Sequence, residues 1–145
     1  MNEMKNLTAL VRLHKWRIDE STRGLADLEA LAARFRQDIE GIGIRLATEA
    51  PLAAESVESA ASYSNFMRAE MTRRATMEQS LVDLEVEISE AREKLAAAFR
   101  ELKSYEITLD RKRQQAVRLN DRRQQSVLDE IGQVRHRAQT SEKFG

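Results

Sequence analysis

The chain contains no cysteine, which rules out disulfides and thiolate metal sites and is compatible with a reducing cytoplasm. It has one proline and five glycines in 145 residues, too few turn-forming positions for a domain built of many short elements. Aromatic residues make up 5% and mean hydropathy is -0.58, so little material is left for a compact core. Burial has to be spread thinly along long helices. Neither sign of charge is in excess, with 24 basic and 24 acidic residues, which removes the simplest electrostatic case for nucleic acid or an anionic membrane as the main partner. Long apolar runs are missing as well. Glu3, Lys5, Arg12, Lys15, Arg17, Asp19 and Glu20 interrupt the N-terminal stretch, so neither a secretory signal nor a membrane span can be read there. The chain is expected to be soluble, without an export signal peptide.

What the chain does have is heptads. Met4, Val11, Ile18, Leu25, Ala32, Ile39 and Leu46 recur at one position, and Leu7, His14, Ser21, Leu28, Phe35 and Ile42 at the other. Alternating steps of three and four put them all on one helix face, and that seam must be covered by another helix. A second stripe follows the proline: Met77, Leu81, Leu84, Ile88, Ala91, Leu95, Ala98, Leu102, Tyr105, Leu109, Ala116 and Leu119. With 33% charged residues on the remaining faces, this is a coiled-coil composition.

Pro51 divides the two stripes. It lacks the amide proton that a helix interior needs but fits a first turn, and Gly41 and Gly43 weaken the helix before it. Helix one is therefore expected over about 4–48, a turn or irregular stretch over 49–62, helix two over 63–139 and a frayed tail over 140–145, all in one folding unit. A short connector between long helices favours an antiparallel hairpin, with a parallel homodimer as the rival. In that hairpin Leu25 would lie level with Leu84 to Ile88, and Met4 level with Ile107. At about 1.5 Å per residue the arms would be roughly 65 Å and 115 Å long, so the longer C-terminal helix projects beyond the paired region. The isolated chain is expected to be a highly helical, elongated monomer.

The projecting part differs in composition. Arg111, Lys112, Arg113, Arg118, Arg122 and Arg123 stand against Asp121 alone, and the apolar stripe resumes in shifted register as Val127, Ile131 and Val134, with Leu128 beside it. This window reads either as a contact surface for an acidic protein or phosphate, or as a solvated helix face. No aromatic is available between Tyr105 and Phe144 for stacking on bases, which counts against single-stranded nucleic acid. Near the N-terminus Leu10, Leu13 and Trp16 form a second short stripe. Phe99 is expected to wrap round the groove and cover it, and a patch for a partner ring is the alternative.

No catalytic constellation is present. His14 sits in the seam and reads as a polar register device, and His136 lies on the basic tail without a paired acid at helical spacing. Glu85, Glu87, Glu90 and Glu93 read as a solvated face. There is no phosphate loop, nucleophile elbow or metal-ligand cluster, so neither enzymatic activity nor a cofactor is expected.

Tyr63-Ser64-Asn65-Phe66-Met67 opening the second arm, the arginine- and glutamine-rich run from Arg111 to Gln125, and Leu128-Asp129-Glu130 near the end resemble the flagellar export protein FliJ family and its type III secretion relatives. The resemblance covers nearly the whole chain in length and layout. It implies an all-α antiparallel coiled-coil stalk at the cytoplasmic face of the flagellar export apparatus, membrane-associated only through its partners. Such a stalk inserts into a hexameric export ATPase, promotes its assembly and activity, and touches the cytoplasmic domain of the export gate. Export chaperones are a further candidate partner. On this reading Arg113, Arg118, Arg122, Arg123, Val127 and Ile131 face the ATPase ring, and Phe66, Met67 and Met71 near the turn meet the gate. A generic coiled-coil adaptor or scaffold is the alternative.

Overall fold

The computed structural model describes residues 2–144. Helix α1 covers Asn2–Glu49, a short 3-10 segment covers Ala50–Ala54, and helix α2 covers Val57–Phe144. No strand occurs among the described residues. The two α-helices pack against each other as an antiparallel hairpin, and α2 continues past the end of α1.

Local chemistry explains where the helices start and stop. The α1 helix runs through Gly41 and Gly43 to Glu49, because Ile42 between them is wholly buried and its packing overrides the weak propensity of its neighbours. Pro51 occupies the first turn of the 3-10 segment rather than restarting a long helix. The restart falls at Val57, six residues before the poorly patterned stretch was expected to end. Ser56 supplies the cap: its Oγ accepts from the Ser59 amide at 3.0 Å, satisfying one of the free donors of the first turn. At the other end α2 is helical through the 140–144 stretch expected to fray. Gly145 lies outside the described residues. Threonine hydroxyls inside both helices are satisfied by the carbonyl four residues back, as Thr22 donates to Ile18 at 2.8 Å and Thr108 to Ser104 at 3.0 Å.

Contacts divide the chain into two units. In Trp16–Phe99 the seam is centred on buried Ala32, Leu84 and Ile88, against which Leu25, Leu28, Phe35 and Leu81 pack. The small side chain of Ala32 leaves room for the two large ones opposite. Arg36 pairs with Glu85 at 3.2 Å and Arg92 with Glu29 at 2.8 Å, one heptad apart on each helix, so Ala32 rather than Leu25 is level with Leu84 to Ile88. Both pairs are solvent-exposed and worth at most about 1 kcal/mol each; they fix register more than stability. The register differs from expectation because Val57 to Ser62 lie exposed, apart from half-covered Ser59. These residues are the first helical turns of α2, formed before it begins to pack against α1.

In the unit formed by the residues up to Lys15 and those from Arg100, Val11, Leu102 and Leu109 are buried. His14 stacks on Tyr105 with ring centroids 4.9 Å apart, giving the polar seam position an aromatic partner. Lys15 meets Glu106 at 3.6 Å, and Lys112 donates to Glu3 at 2.6 Å. Pairing thus reaches Lys112, further than the level of Met4 and Ile107 implied. The hydrogen bond and charge of Lys112 hold the Glu3 carboxyl below the ordinary glutamate value.

Phe99 does not cover the N-terminal stripe. Trp16 is 61% exposed and Phe99 52%, and Leu13 is exposed too. Trp16 stands on the face opposite the seam, out of reach of a single partner helix.

Candidate functional site: an uncovered C-terminal helix and an apolar turn

Beyond Lys112 every described side chain as far as Lys143 is exposed. The segment is helical nonetheless, because arginine, glutamine and glutamate are good helix formers and side chains four apart support one another. Gln114 donates to Asp110 at 3.1 Å and Gln125 to Asp129 at 3.1 Å. Its large apolar residues Val117, Leu119, Val127, Leu128, Ile131 and Val134 are uncovered.

Helical periodicity divides the six residues expected to meet a ring into two groups. Val127, Ile131, Val134 and Ala138 step by four, three and four residues, so they form one stripe. Arg123, four before Val127, borders it. Arg113 lies two heptads before Val127 on the same side, where it helps line a shallow groove with Val11, Arg12 and Leu109. Arg118 and Arg122 fall on the opposite side of the helix, with His136. One apolar stripe with two arginines beside it therefore backs onto a basic face. Arg123, Gln124, Val127 and Leu128 also line a shallow surface groove, but it is an open furrow on one helix. Among the described residues no group of three or more His, Cys, Asp or Glu is placed to hold a metal, and no helix is long and apolar enough to cross a membrane.

The turn end is built differently. Phe66 is half-buried and sits 6.5 Å from the Tyr63 ring at a 45° tilt, while the Tyr63 hydroxyl donates to the Leu46 carbonyl at 3.2 Å and ties α2 to α1. Met67 and Met71 are exposed and, four residues apart, adjoin on one face. Phe66 faces about 100° away from Met67, into an open cleft of about 420 Å³ lined with Glu49, Leu52, Ser56, Glu58, Ser59, Ser62 and Tyr63. The structure thus brings Met67 and Met71 together and sets Phe66 apart. Leu52, Glu49 and Glu58 were not among the expected site residues. The signal for them was the absence of any lysine or arginine between Arg45 and Arg68.

Neither curated proteins nor solved structures gave a match. The family model described as flagellar FliJ protein matches residues 4–141, nearly the full length and both helices of the hairpin. The chain belongs to the FliJ family of flagellar export components.

Proposed function

We propose that this chain is the stalk of the flagellar export ATPase, entering the hexameric ring with its free C-terminal helix and meeting the export gate with its turn. One observation carries the reading. An uninterrupted helical segment from Arg113 to Lys143 is solvent-exposed on every side, with an apolar stripe bordered by Arg123 on one face and Arg118 and Arg122 on the other. A partner that surrounds a helix can use all of its faces, whereas a partner lying alongside uses one. A single asymmetric helix inside a six-fold ring meets the subunits unequally, so it biases their conformations and favours ring assembly without chemistry of its own. Stimulation of ATP hydrolysis by a purified ring, with and without the free helix, tests this.

The gate contact is tested separately by Phe66→Ala. Loss of a true anchor costs roughly 2 kcal/mol or more of binding, about a thirtyfold weakening. Titration of the purified gate cytoplasmic domain should show this loss, with ATPase stimulation unchanged. Melting of the hairpin, or unaltered gate binding, would remove the turn as a contact and leave a stalk that binds only the ring.

A further inference from the structure

The cleft at the turn mixes apolar, acidic and serine side chains. Leu52, Tyr63 and Phe66 line it together with Glu49 and Glu58, and Leu52 is exposed and Val57 87% exposed beside it. From Leu46 to Met67 the chain carries Glu49, Glu55 and Glu58 and no lysine, arginine or histidine. None of the three acids takes part in the seven ion pairs found among the described residues. Glu49 is moreover the last residue of α1, whose final turn holds no basic residue. A helix C-terminus carries partial negative charge and favours cations. The Glu49 carboxylate at that end has no cation beside it, so a cation from a partner would complement it.

From this juxtaposition we propose that the turn end is a receptor for a cationic segment of a partner protein that carries one large apolar side chain. That side chain seats over Leu52, Tyr63 and Phe66, while flanking lysines or arginines lie against Glu49, Glu55 and Glu58. A desolvated apolar anchor supplies affinity, and the acidic side chains supply orientation, association rate and discrimination against acidic segments. The inference rests on the reading of the turn as the gate contact, and it specifies the chemistry the gate must present there: a basic stretch with a single apolar anchor.

The test uses the full chain and two probes. The first is a short peptide rich in lysine and arginine with one central phenylalanine, compared with an acidic twin and a twin in which serine replaces the phenylalanine. The second is the purified gate cytoplasmic domain. Glu49 and Glu58 are exposed and unpaired, so Glu49→Lys with Glu58→Lys should leave the hairpin folded, as circular dichroism would verify. Amide NMR should show the basic peptide perturbing residues around Leu52, Ser56 and Tyr63. Affinity should fall about tenfold or more in the double variant and on raising salt, and neither twin should bind comparably. Binding of the acidic twin equal to that of the basic peptide, perturbations elsewhere, no peptide binding, or indifference to the double variant would each overturn the inference. Gate binding that persists undiminished in the double variant would sink the inference yet leave the gate contact standing. Peptide binding at the cleft without any gate binding would do the reverse.

Discussion

Truncation after Ala116 should abolish stimulation of the export ATPase while leaving the hairpin folded. The deleted residues make no seam contact, since everything described beyond Lys112 is exposed, and the last interhelical links, Lys112 with Glu3 and Lys15 with Glu106, lie before the cut. Circular dichroism should therefore record fewer helical residues and a nearly unchanged melting temperature. Hydrolysis by a purified ring should fall to the level of the ring alone. Stimulation equal to that of the full chain would mean that the free helix is not what the ring reads.

The converse substitution is Ile42→Ala, which should destabilise the chain by roughly 2–5 kcal/mol. Ile42 is 0% exposed, and the glycines on either side have no side chains to move into the space, so a cavity would remain. Thermal unfolding followed by circular dichroism is the readout. Ile131→Ala provides the contrast. Its side chain is 46% exposed and touches no partner helix, so its stability should change by less than about 0.5 kcal/mol, whereas ring stimulation should weaken.

Sequence periodicity was informative where side chains are buried and silent where they are not. Val11, Ile18, Ala32 and Ile42 in α1, and Leu84, Ile88, Leu102 and Leu109 in α2, are seam positions in the sequence and buried in the structure, because only one face of each helix could be covered. Ser21 holds a seam position yet is exposed; its short polar side chain gains nothing from burial. The start of α2 was illegible in heptads because Val57 to Ser62 pack against almost nothing, and a serine cap sets the boundary instead. Register followed from those same residues, which leave no apolar trace. Trp16 looked as if it needed cover, but its place opposite the seam puts cover out of reach within a two-helix hairpin. The lack of an intrachain partner for the C-terminal segment was readable from unequal arm lengths. Its two-sidedness was readable as well, from the nine-residue step between Arg118 and Val127, half a turn out of phase, although proximity in sequence groups them together. The cleft at the turn had only a compositional signature, the missing basic residues between Arg45 and Arg68.

Site-specific photo-crosslinking addresses the two-ended stalk most directly, with a photoreactive residue placed either at Ile131 or at Met67, both exposed, in cells that assemble the export apparatus. For such a stalk, Ile131 should capture the ATPase and not the gate, and Met67 the gate and not the ATPase. Capture of the gate from Ile131, or of neither protein from either position, would contradict a two-ended stalk.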